Sequence, residues 1–150
     1  MSIATLVRSH ARRLVAVGAL LTLPVGAAAV VSSTAGASTF TFTASGGVTN
    51  PCTSSAESIS GPTIITLRSS GSTTLVSAVW EGKTSGGDTF VISGKATVPT
   101  STSSYTIPVQ ATFAGPTGTF RGTGSATIFH TGSQPTGAHT SLGALTCVSP

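Results

Sequence analysis

Apart from two cysteines, residues 38–150 carry five side chains suited to acid–base work near neutral pH: Glu57, Glu81, Asp88, His130 and His139. Glycoside hydrolysis needs two carboxylates about 5–10 Å apart. A hydrolytic triad needs a serine beside a histidine that an acid orients, and a metal centre needs closely spaced ligands. No motif in the chain meets any of these demands. Asp88 sits in a Gly-Gly turn, Glu57 in a Ser-rich stretch and Glu81 at a strand end, so all three read as solvated charges. Nineteen serines follow residue 37, yet none stands in a G-x-S-x-G elbow. Eight residues separate His130 from His139, a poor ligand spacing. The reading is a non-catalytic protein without metal or cofactor.

The residues left for ligand contact are aromatic. Trp80 is the sole tryptophan and Tyr105 the sole tyrosine. With His130 and His139 they are the candidate ligand-binding residues. Their phases argue for the interior: Trp80 shares a face with Val76 and Ala78, Tyr105 heads an apolar phase, and His130 closes one. His130 therefore reads as a core-edge imidazole bonded to backbone, and His139 as exposed in a polar loop, 131–141.

Strands must position these groups. Strong helix formers are scarce after residue 37, whereas Thr, Val, Ile and Phe are plentiful and Gly or Pro recurs every ten or so residues. Period-two alternation runs through Phe90–Val98, Tyr105–Phe113 and Phe120–His130. It predicts strands near 39–44, 63–68, 73–82, 89–98, 105–113, 118–130 and 142–148, with a weaker one at 53–60. The 73–82 segment, apolar on both sides, reads as a strand covered on both faces, and Pro108 marks an edge or a bulge. Turns at Ser69–Ser72, Ser85–Asp88 and Gly115–Gly118 force antiparallel neighbours. The expected fold is all-β, a single-domain antiparallel β-sandwich of seven to eight strands, with a small closed β-barrel as the alternative.

In front lies a segment with the marks of an export signal. Arg8, Arg12 and Arg13 precede an apolar stretch, Leu14 to Val31, and Ala35-Gly36-Ala37 gives the A-x-A pattern for a cut before Ser38. Residues 1–37 thus read as a removed signal peptide and 38–150 as a secreted, extracellular domain. In that domain Cys52 and Cys147 read as one disulfide. Closing so long a loop is worth roughly 4–5 kcal/mol in the chain-entropy model. Four basic side chains (Arg68, Lys83, Lys95, Arg121) face three acidic ones, a net +1 against +4 for the whole chain. Four scattered cations cannot build a phosphate-binding patch, which excludes nucleic acid and, once the signal is removed, an anionic membrane.

In composition the domain looks like carbohydrate-binding modules, whose sandwiches grip sugars on flat aromatic platforms, although those modules usually display several exposed aromatics. Gly115-Pro116-Thr117-Gly118-Thr119-Phe120-Arg121-Gly122 resembles the turn-and-strand of allene-oxide-cyclase-like and related calycin-type barrels. That match spans about ten residues and brings no catalytic residue with it. It implies a turn at Gly118 and room beside Gly122 and Gly124, for a crossing ring or a ligand. The expected function is a secreted binding or surface-interaction module for an unknown extracellular ligand, whether glycan, cell-surface or protein. The alternatives are a barrel holding an apolar small molecule, or an inhibitor of an extracellular hydrolase acting through 131–141 or 99–104.

Overall fold

The computed structural model describes residues 17–22, 32–34, 36–101, 103–132 and 134–150. The cationic start of the expected signal and most of its apolar stretch lie outside the described residues. The described elements are β1 (Val17–Thr22), β2 (Ser32–Thr34), β3 (Ala37–Thr49), β4 (Ala56–Ser70), β5 (Thr73–Thr84), β6 (Thr89–Pro99), β7 (Ser104–Gly115), β8 (Gly118–Thr131), β9 (Gln134–Leu142) and β10 (Thr146–Ser149).

All pairings are antiparallel, and β3 to β9 pair in chain order as one sheet. The backbone of β1 pairs with β9, from Val17 opposite Leu142 to Thr22 opposite Gly137, and β1 also lies against β3. Eight antiparallel strands thereby form a nearly closed barrel, so of the two expected architectures the barrel describes the molecule; β1 lies within the segment 1–37 expected to be removed, and residues 38–150 supply the other seven strands. A sandwich would divide the strands between two stacked sheets. Here short connections keep β3 to β9 hydrogen-bonded in chain order, and the sheet curls on itself. The short β2 pairs with β3, and β10 pairs with β8.

Alternation decides which side chains fill the barrel. Phe42, Ile65, Leu67, Val76, Trp80, Phe90, Ile107, Phe113, Phe120 and Ile128 are all buried in one core. Phe113 stacks on Phe120 at 4.4 Å between centroids, and Phe90 continues the stack at 5.8 Å. On β5 the even residues face this core, while Leu75 and Val79 are half-buried on the other side.

Three local expectations change. The strand expected at 53–60 begins only at Ala56 and is continuous with that at 63–68 in a single strand, β4: its pairing with β5 lapses after Ser60 opposite Lys83 and resumes at Thr63 opposite Trp80, without the strand ending. Most of the expected loop 131–141 is β9, and the strand expected at 142–148 begins only at Thr146. Opposite Phe129 and His130 the register shifts, leaving Thr136 as an extra residue in β9; the inward phase there passes from Pro135 to Ala138 and Thr140, which hides β9 from a period-two reading. Pro108 behaves as expected. The β6–β7 ladder ends at Ser93 opposite Gln110, so the missing N–H falls where β7 has lost that partner.

Cys52 and Cys147 form a disulfide with Cα atoms 5.0 Å apart across 95 residues of sequence. It ties the β3–β4 connection to β10. A disulfide is compatible with an extracellular protein. Among the described residues no helix is long and apolar enough to cross a membrane.

Candidate functional site

At the barrel end beside the disulfide, three connections converge: residues 50–55 after β3, 85–88 after β5, and Pro116–Thr117 after β7. They bring Asn50, Glu57, Asp88 and Thr117 into one polar cluster. Asn50 Nδ2 donates to Glu57 Oε1 at 2.8 Å and to Thr117 Oγ1 at 2.6 Å. Thr117 then donates to Asp88 twice, from its N–H to Oδ1 at 3.0 Å and from its hydroxyl to Oδ2. Asn50 Oδ1 accepts the Cys52 N–H at 2.8 Å, which joins the cluster to the disulfide.

This corrects the reading of the acids as solvated. Asp88 is fully buried and Glu57 is 6% exposed, whereas Glu81 is exposed as expected. The signal was present in the phases. Glu57 shares the inward parity of Ile59, Ile65 and Leu67, Asp88 that of Phe90 and Ile92, and Asn50 that of Val48 and Phe42. Turn chemistry in the neighbouring residues masked it. Among the described residues, no three of His, Cys, Asp and Glu gather in one place.

The aromatic candidates are interior. Trp80 is buried and meets Phe90 edge-on at 5.3 Å. Tyr105 and His130 are brought together at the opposite rim, rings stacked 4.4 Å apart. The Tyr105 hydroxyl lies 3.3 Å from Thr74 Oγ1 and 3.4 Å from the Ser101 carbonyl oxygen, to which it donates. The His130 Nδ1–H donates to the Gly132 carbonyl at 2.8 Å. His139 lies on β9, half-buried, between the inward residues Ala138 and Thr140. The rings of Trp80, Tyr105 and His130 offer no flat exposed face to a sugar.

On the core face the space expected beside Gly122 and Gly124 is filled, while on the outer face both glycines line an open concavity. A Cβ on Gly122 would meet Leu145 Cδ2 at 2.6 Å, and one on Gly124 would meet the Ser141 carbonyl oxygen at 2.0 Å. Inside the barrel, a cavity of about 20 Å³ lies among Thr63, Trp80, Ile92, Ile128 and Thr140. That is room for about one water, against about 150 Å³ for a benzene-sized guest.

The open concavity is outside, on β6–β8. One lobe of about 550 Å³ is lined by Gln110, Thr112, Arg121, Thr123, Ala144 and Thr146. A second, of about 470 Å³, is lined by Ser93, Lys95, Pro108, Gln110 and Thr123. The lobes share Gln110 and Thr123, which face each other across the β7–β8 ladder. No carboxylate lines either lobe. Sequence reasoning missed this groove because its walls depend on where the β6–β7 ladder stops and where the chain runs after β9.

Fold and site together define a small disulfide-bonded antiparallel β-barrel with a polar outer groove and a buried polar plug at one end. No family model, no curated protein and no solved structure matches the chain.

Proposed function

We propose that residues 38–150 form a secreted, non-catalytic binding module that holds a hydroxyl-rich extracellular ligand, a glycan chain, in the groove outside β6–β8. The observation carrying this reading is the lining of that groove. Ser93, Gln110, Thr112, Thr123, Lys95 and Arg121 present hydroxyl, amide and cationic groups without a carboxylate among them. Sugars are recognised by such convergent donors and acceptors, with neighbouring waters completing the contacts. Burial of Glu57 and Asp88 supports the non-catalytic part of the reading, because neither carboxylate faces the groove.

Affinity electrophoresis of the protein through gels containing extracellular and cell-wall polysaccharides tests it. Retarded migration on at least one polymer, lost in the Gln110→Ala/Arg121→Ala double variant, is the expected result. Unretarded migration on every polymer, or equal retardation of the variant, overturns it. Intact mass of the exported product, beginning at Ser38, is the expected readout for signal removal.

A further inference from the structure

We propose that the plug at the disulfide end is a calcium-class cation site formed around the carboxylates of Glu57 and Asp88. Two carboxyl groups are withdrawn from water in one hydrogen-bonded cluster, one fully buried and the other 6% exposed. The basic side chains Arg68, Lys83, Lys95 and Arg121 are all exposed and contribute nothing to the cluster. Burying carboxylate charge without a compensating partner is expensive. Hydrogen bonds account for three of the four carboxyl oxygens: Glu57 Oε1 receives Asn50, and both Asp88 oxygens receive Thr117. Glu57 Oε2 is buried with no partner in the protein. An orphaned oxygen on a carboxylate more than nine-tenths buried points to a ligand that supplies positive charge.

The donor set selects the class of ion. Glu57 and Asp88 offer carboxylate oxygens and Thr117 a hydroxyl oxygen, with no sulfur or imidazole, while Asn50 turns its amide NH2 to Glu57 and Thr117 and its oxygen to the Cys52 N–H. Such hard oxygen donors suit calcium, whose flexible coordination takes side chains and carbonyls from several loops. Zinc and copper prefer nitrogen or sulfur. With only two carboxylates, the affinity expected is that of extracellular calcium modules, a Kd of about 10⁻⁴–10⁻³ M. A bound ion would pin together the three connections, one of which the disulfide joins to β10.

The test is a calcium titration of the chelator-treated protein, purified after expression of the full chain, followed by calorimetry and by thermal melting, with magnesium and the variants Glu57→Gln and Glu81→Gln alongside. Glu57→Gln keeps the shape and the acceptor for Asn50 while removing the charge. The expected result is saturable calcium binding, with Tm raised by roughly 5 °C at tenfold excess over Kd. Glu81→Gln retains that shift, Glu57→Gln loses it, and magnesium produces a smaller one. Absence of saturable heat and of any Tm shift overturns the proposal, as does a shift of equal size in Glu57→Gln, which would place the ion elsewhere. If Glu57→Gln fails to fold, displacement of terbium by calcium decides the matter, compared between the wild-type protein and Asp88→Asn. Loss of terbium binding in Asp88→Asn supports the site, and unchanged binding overturns it.

Discussion

The imidazole of His130 lies flat on the ring of Tyr105, with centroids 4.4 Å apart and planes 7° apart. Both residues come from inward phases of adjacent strands, and each is anchored to a loop carbonyl: Tyr105 to Ser101, His130 to Gly132. The pair closes the rim of the barrel opposite the plug.

Removing the imidazole should therefore cost stability and leave groove binding intact. His130→Ala deletes a buried ring and a hydrogen bond, an expected loss of about 2–3 kcal/mol. His130→Phe keeps the stack and loses the hydrogen bond, an expected loss of about 1 kcal/mol. Guanidinium unfolding of the three proteins at one pH measures both. Equal losses in the two variants would mean that the stacked ring contributes little.

Strands β4 and β5 approach each other closely where their ladder lapses. A Cβ on Gly61 would lie 1.8 Å from the Glu81 carbonyl oxygen, and one on Gly82 would lie 2.1 Å from that of Ser60. Backbone cannot yield there without separating the strands. Gly61→Ala and Gly82→Ala should each destabilise by at least about 3 kcal/mol or prevent recovery of folded protein. Gly47→Ala is the control, because its nearest atom would be 3.7 Å away, and it should cost under about 1 kcal/mol. Comparable melting of all three variants would show that the approach is not needed.

Those glycines illustrate what the chain reveals before folding. Alternation marks the interiors of β6, β7 and β8 residue by residue, because each strand has one face in the core and one in water. The same alternation suits sandwich and barrel equally, so it cannot choose between them. Gly61-Pro62 reads as a break because local turn chemistry is indifferent to whether the strand continues beyond it. Gly132, Pro135 and Gly137 similarly disguise β9. The plug was half legible: parity points Glu57 and Asp88 inward, but only the meeting of three distant connections supplies their hydrogen-bond partners. The groove has no local signature, since Gln110, Arg121 and Thr146 become neighbours through pairing alone.

The core cavity carries a prediction of its own. Thr63 Oγ1 and Trp80 Nε1 are both buried without a partner in the protein, and both residues line the space of about 20 Å³. A site of that size with several polar groups suits one bridging water. A high-resolution crystal structure should place a water within hydrogen-bond distance of both atoms. Thr63→Val should then cost about 1 kcal/mol by removing one anchor of that bridge. A neutral or stabilising Thr63→Val would indicate a dry cavity.

Thr117 is the hinge of the plug, because its hydroxyl accepts from Asn50 and donates to Asp88 while its N–H serves the same carboxyl group. Thr117→Val preserves shape and the N–H contact but leaves a buried amide hydrogen and a buried carboxyl oxygen unpaired. The expected loss is about 3 kcal/mol, since each orphaned group costs about 1–3 kcal/mol. Thr117→Ser keeps the hydroxyl and should lose less than about 1 kcal/mol. Asn50 also receives the Cys52 N–H, so the disturbance should reach the disulfide. Thr117→Val should accordingly speed reduction of Cys52–Cys147 by dithiothreitol relative to Thr117→Ser. Equal unfolding midpoints and equal reduction rates for the two variants would show that the hydroxyl does not hold the three connections together.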